Sequence, residues 1–139
     1  MYEYKVKVLR VIDGDTIDVD IQLGFDVVLS KQRVRLYGID TPESRTRNKE
    51  EKVRGLLSKE YLKDNCPKDS IITLVSKERG KFGIILGILY NEENKELSVN
   101  DKMCEDGYAV PYFGGNKEEL ESLHMKNKQK LIDQGILEN

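Results

Sequence analysis

The chain has 139 residues (16.0 kDa), 38% of them hydrophobic and 35% charged, which suits one domain with a single core, argues against a two-domain enzyme, and fits neither a disordered tail nor a fibrous protein. The longest apolar run, Ile84 to Tyr90, is broken by Gly87 and far too short to cross a membrane, and two cysteines (Cys66, Cys104) with one histidine (His124) supply neither a disulfide framework nor a zinc ligand set. The net charge of −2 conceals an uneven spread, with ten Lys/Arg against five Asp/Glu in residues 31–63 and six against eleven in residues 92–139; the pI near 5.6 argues against bulk coating of nucleic acid but leaves one basic segment able to meet phosphates.

In chain order, the start Met1-Tyr2-Glu3-Tyr4-Lys5 lacks the basic, apolar and small-residue segments of a signal peptide, so the expectation is a cytoplasmic protein unless a leader preceded it. Tyr4, Val6, Val8 and Val11/Ile12, then Thr16 to Ile21, flank Asp13-Gly14 and predict a β-hairpin. A turn near Leu23 to Asp26 leads to Val27-Val28-Leu29, and Arg33 to Ile39 alternates as a third strand that Pro42 ends around Asp40. Lys49 to Asn65 carries Val53, Leu56, Leu57, Tyr61 and Leu62 at helical spacing, and Pro67 follows as a stop. Ser70 to Val75 and Gly83 to Tyr90 are strands four and five, separated by a charged loop, Lys77 to Lys81. Ser98 to Asp106 reads as a short helix before Gly107, and Lys117 to Gln134 as a longer one packing through Leu120, Leu123 and Leu131. With no repeat and no linker, a single α+β domain over residues 1–139 is the economical reading. Five strands and three helices suit a closed five-stranded OB-type barrel, an open sheet being the alternative.

Chemistry concentrates at two strand ends. Asp13 and Asp15 in Ile-Asp-Gly-Asp-Thr, and Asp40 and Glu43 in Ile-Asp-Thr-Pro-Glu, each also read as turn residues when taken alone. If the segments meet, Asp15, Asp40 and the Thr41 carbonyl supply hard oxygen ligands suited to Ca²⁺ or Mg²⁺. Arg35 stands five positions before Asp40, so their side chains point to opposite faces unless the strand bends or ends between them. A guanidinium beside a metal is also what a phosphoryl group needs.

Val11 to Ile17, Val34 to Glu43, Lys81-Phe82-Gly83 before an apolar strand, and Asp106-Gly107-Tyr108-Ala109 together resemble the staphylococcal nuclease (thermonuclease) family from about Tyr4 to the last helix. The resemblance implies an OB barrel with three helices and a monomeric, Ca²⁺-dependent endonuclease cleaving phosphodiester bonds of DNA or RNA, single-stranded or unpaired. By motif, Asp15, Asp40 and Thr41 would hold Ca²⁺, Asp13 would reach it through water, Glu43 would hold or deprotonate the attacking water, and Arg35 would neutralise phosphate oxygens. Tyr112 falls about where the family has a nucleotide-pocket tyrosine.

One position departs from the pattern. Where the family begins its strand with a second catalytic arginine, this chain has Ile84, and losing a phosphate-directed arginine costs roughly 10³–10⁵ in rate. Arg79 and Lys81 lie near enough in sequence to serve as substitutes. The expectation is therefore a nuclease of reduced activity, with a non-catalytic nucleic-acid-binding module as the alternative and a protein-interaction barrel as a third reading. Arg45, Arg47, Lys49, Lys52 and Arg54 read equally as a solvated face or a strand-tracking surface; Tyr112 and Phe113 could stack on a base or pack beneath a loop; His124, with no second imidazole and no paired carboxylate pattern, reads as a partly exposed helix residue.

Overall fold

Alternating β-branched side chains build the wall of the fold, which a computed structural model describes for residues 2–138. Val6 and Val8 of β1 (Glu3–Asp13) and Ile17, Val19 and Ile21 of β2 (Thr16–Gly24) point inward, and the two strands pair across the Asp13-Gly14 turn as the sequence predicts. β3 (Val27–Leu36) follows with only its last residues buried, leaving Leu23, Phe25, Val27, Val28 and Leu29 on an exposed hairpin arm. β3 ends earlier than the predicted strand. A turn at Tyr37–Gly38 separates it from the two-residue β4 (Ile39–Asp40), and Gly38 takes φ +77°, a left-handed conformation that glycine adopts without a Cβ clash.

β5 (Ile71–Arg79) and β6 (Ile85–Tyr90) close the barrel in the order β1-β2-β3-β6-β5. Every pairing is antiparallel except β3 with β6, where Val34, Arg35 and Leu36 lie beside Ile85, Leu86 and Gly87. β5 runs through Lys77 to Arg79, where a loop is expected from the sequence, and a 3₁₀ turn at Lys81–Gly83 makes the connection. β4 pairs outside the barrel with β7 (Val110–Pro111). The result is the five-stranded OB-type barrel with three helices.

Helix α1 (Lys49–Asn65) has the predicted limits, with Asn48 accepting the Glu51 N–H at its N-terminus. Its buried face overlaps the predicted one only near its C-terminal end, where Leu62 is buried and Tyr61 packs against the core. Val53 and Leu56 are exposed, whereas Arg54, Gly55, Ser58, Leu62 and Asn65 are buried, a face turned about one residue from the apolar spacing: Gly55 lies against the Glu43 backbone, Ser58 donates to the Tyr108 carbonyl, and Arg54 bonds Glu50 one turn earlier in the same helix. α2 (Val99–Glu105) buries Val99, Asn100 and Met103. α3 (Lys117–Asp133) also departs from its expected stripe, since Leu123 is exposed and Leu131 alone is buried. No described helix is long and apolar enough to cross a membrane.

Candidate active site

The early end of β3 is what assembles the site. Had the strand continued, Arg35 and Asp40 would face opposite sides; the Tyr37–Gly38 turn instead returns Asp40 to the side of Arg35. Arg35 Nη2 lies 3.5 Å from Asp40 Oδ1 and 3.5 Å from Asp15 Oδ2. These are ion-pair contacts rather than short hydrogen bonds. Asp15 reaches this point because Thr16 pairs with Arg35 across β2 and β3 and the Asp15 carbonyl accepts the Leu36 N–H at 2.8 Å.

The turn itself is held from α2. Asn100 Nδ2 donates to the carbonyls of Tyr37 (2.9 Å) and Gly87 (3.2 Å), and its Oδ1 accepts the Leu89 N–H at 3.1 Å. A buried amide thus ties the turn before Asp40 to the closing strand β6.

Burial pushes the Asp15 carboxyl above its ordinary range, against the pull of Arg35 and of the Thr16 hydroxyl, which donates to Oδ1 at 2.9 Å; the charges of Asp13 and Asp40 push the same way as burial. A carboxyl pair that shares one guanidinium is short of positive charge, and its all-oxygen chemistry fits a hard divalent cation. Among the described residues no three His, Cys, Asp or Glu side chains form a cage by themselves. A cation here would draw on Asp15, Asp40, the carbonyl of the buried Thr41 and water, a mixture that Ca²⁺ accepts.

Asp13 is engaged elsewhere through Oδ1, which accepts the Ser44 hydroxyl at 2.6 Å and the Gly14 N–H at 3.0 Å. This links the β1–β2 turn to the loop that carries Thr41 and Glu43. The Glu43 N–H donates to Glu51 Oε2 at 3.1 Å; its side chain is exposed and borders a cleft of about 630 Å³ together with Asp40, Thr41, Arg54, Glu121 and His124. On the other side of Arg35, a concavity of about 250 Å³ is lined by Tyr37, Glu78, Leu86, Tyr112 and Phe113. Ile84 is half-buried at the entry to β6, two residues before Leu86, the residue beside Arg35 in the parallel pair. By strand alternation it shares the face of Arg35. The structure does not bring Arg79 or Lys81 to that face: Arg79 Nη1 donates to the Gly83 carbonyl at 3.2 Å, and Lys81 lies exposed in the 3₁₀ turn.

Two sequence readings need correction. Arg54 is not available to track a strand, because it is buried and bonds Glu50 through Nε (2.6 Å) and Nη2 (3.1 Å); Arg45, Arg47, Lys49 and Lys52 are exposed. His124 does have a carboxylate partner, with Nε2 2.8 Å from Asp40 Oδ2 and its side chain only 12% exposed. The signal lay in one face of α3: the polar His124, Asn127 and Lys128 recur at helical spacing with the buried Leu131 and all three make contact, His124 with Asp40, Asn127 with the Ala109 carbonyl and Lys128 with Glu50. Asn100 gave no such signal, since an isolated asparagine beside a capping serine reads as part of a helix start.

Comparison with known proteins places the chain in a family. The model of the family described as staphylococcal nuclease homologue matches residues 33–133. The chain is 28% identical over 129 residues to a thermonuclease of Staphylococcus hyicus, with 91% of this chain and 71% of that protein covered. It is 28% identical over 122 residues to a micrococcal nuclease of Shigella flexneri (81% and 62% covered) and 25% identical over 147 residues to an uncharacterized protein of Methanocaldococcus jannaschii (91% and 68% covered).

Proposed function

We propose that this chain, which belongs to the staphylococcal nuclease family, is a Ca²⁺-dependent phosphodiesterase of DNA or RNA whose rate is held down by Ile84. The observation that carries the reading is the position of Arg35 Nη2 between Asp15 and Asp40, both within 3.5 Å. A guanidinium held by two carboxylates at a strand end is fixed in place before a phosphate arrives.

Asp15 and Asp40 would hold the cation through carboxylates and Thr41 through its carbonyl, with Asp13 reaching it through water. When bound, Ca²⁺ supplies fixed positive charge that polarises a phosphoryl oxygen. Arg35, 40% exposed on its side chain, presents its remaining N–H donors to the phosphate oxygens and offsets the charge that builds on them. Glu43, on the Asp40 side, orients the attacking water and accepts its proton. Tyr112 and Phe113, lining the concavity beside Arg35, offer aromatic faces to an unpaired base; Arg79 and Lys81 add only peripheral charge.

Ile84 favours a second reading, a module that binds nucleic acid without cutting it, because an alkyl group on the face of Arg35 can neither bond a phosphate nor neutralise it. Cleavage of labelled single-stranded DNA by the native chain and by Ile84→Arg, each with Ca²⁺ and with a chelator, separates the two. A Ca²⁺-dependent gain of roughly 10³ or more in Ile84→Arg supports the nuclease. Binding without cleavage in both proteins supports the module.

A further inference from the structure

We propose that His124 of α3 is the positioning residue for Asp40, and that it sets which carboxylate oxygen faces the cation. The inference rests on Asp40 acting as a metal ligand, as proposed above. The two Asp40 oxygens have different partners: Oδ2 meets His124 Nε2 at 2.8 Å, and Oδ1 meets Arg35 Nη2 at 3.5 Å. A carboxylate fixed at one oxygen cannot rotate freely about its terminal torsion, so Oδ1 stays turned toward Arg35 and Asp15.

The ring is suited to donating. Its Nδ1 is buried with no hydrogen-bond partner among the protein atoms, and a buried lone pair without a partner costs less than a buried N–H without one. The proton therefore belongs on Nε2, the nitrogen that faces Asp40.

The support also reaches into the helix. His124 shares one face of α3 with Asn127, which donates to the Ala109 carbonyl at 2.8 Å, with Lys128, 3.2 Å from Glu50, and with the buried Leu131. These contacts fix where the imidazole stands. The arrangement is that of an outer residue orienting a ligand, a role whose loss commonly costs 10–100-fold in metal affinity.

Calorimetric titration of the full chain with Ca²⁺ alone, well below its melting temperature, tests the assignment without any turnover. His124→Phe and His124→Leu remove the donor, and His124→Gln keeps an N–H near the position of Nε2. The expected result is Ca²⁺ binding weakened at least 10-fold in both donorless variants and restored to within about threefold of native in His124→Gln, with folding of each variant verified by its melting curve. Native affinity in a folded donorless variant overturns the inference, and so does equal weakening in folded His124→Gln, since the hydrogen bond would then not be the cause. A native chain that takes up no Ca²⁺ overturns the metal reading and the inference with it, an outcome distinct from either of the others.

Discussion

The backbone of Glu43 lies directly against Gly55 of α1: a Cβ at position 55 would stand 2.4 Å from both the carbonyl carbon and the carbonyl oxygen of Glu43. Helix interiors ordinarily favour alanine over glycine by about 1 kcal/mol. Here the sign reverses. Gly55→Ala is expected to destabilise the fold by about 1–3 kcal/mol through overpacking and to displace the loop from Asp40 to Ser44. Chemical denaturation gives the first effect, and Ca²⁺ titration of the same protein gives the second.

Asn100 serves three backbone groups at once, the carbonyls of Tyr37 and Gly87 and the N–H of Leu89. Asn100→Ala leaves the Leu89 N–H unpaired in the interior and releases the turn before Asp40. The expected cost is about 2–4 kcal/mol, read from urea unfolding, together with weaker Ca²⁺ binding than in a surface variant of equal stability loss.

Asp18 on β2 stands between Arg33 on β3 and Arg10 on β1, at 3.0 and 3.1 Å. The hydrogen bond from Arg33, then that from Arg10, holds its carboxyl below the ordinary value against the opposing effect of burial. Because the folded value lies below the unfolded one, the stabilisation is present above the ordinary carboxylate range and is lost as pH falls through the folded value. Asp18→Asn is expected to lower stability by about 1 kcal/mol at pH 7, as both arginines are well exposed. Melting curves of the two proteins should converge in acid; a gap that stays constant with pH would refute the assignment.

Glu50 neutralises a buried arginine. Removing it in Glu50→Ala strands Arg54, whose side chain is 6% exposed, and also frees Lys128 of α3. A loss of about 2–3 kcal/mol is expected in denaturant melts, and Arg54→Leu in the Glu50→Ala background should recover part of it.

The hairpin at Asp13-Gly14, the limits of α1 and the barrel itself were legible because each rests on local signals: a turn dipeptide, an amphipathic spacing with a stop, alternation along strands. The motifs around Asp15 and Asp40 were legible as chemistry, since those residue types at strand ends have few other uses in combination. Their meeting was not. Whether Arg35 and Asp40 share a side depends on a strand ending three residues sooner than its alternation suggests, and the turn that follows is held by Asn100, 63 residues from Tyr37 in the chain. His124 stands 84 residues from its carboxylate, a separation across which no periodicity carries information. Arg54 was misplaced for a related reason: spacing finds the apolar stripe of a helix, but it does not show that a charged side chain beside the stripe is buried against a glutamate one turn away.

The parallel pairing of β3 with β6 joins two stretches of the chain to which the proposed site gives different work. The residues proposed to meet cation and phosphate, Asp15, Arg35, Asp40, Thr41 and Glu43, all precede α1, whereas Gly55, Gly87, Asn100 and His124, which hold their backbone or side chains in place, come after them. An interruption in the exposed Glu92–Lys95 turn would therefore separate a piece carrying every reactive group and all five barrel strands from a piece carrying Asn100 and His124. Neither half would own the function. Joined to two proteins that associate, such halves would make a reporter whose Ca²⁺ affinity records whether the fused partners have met.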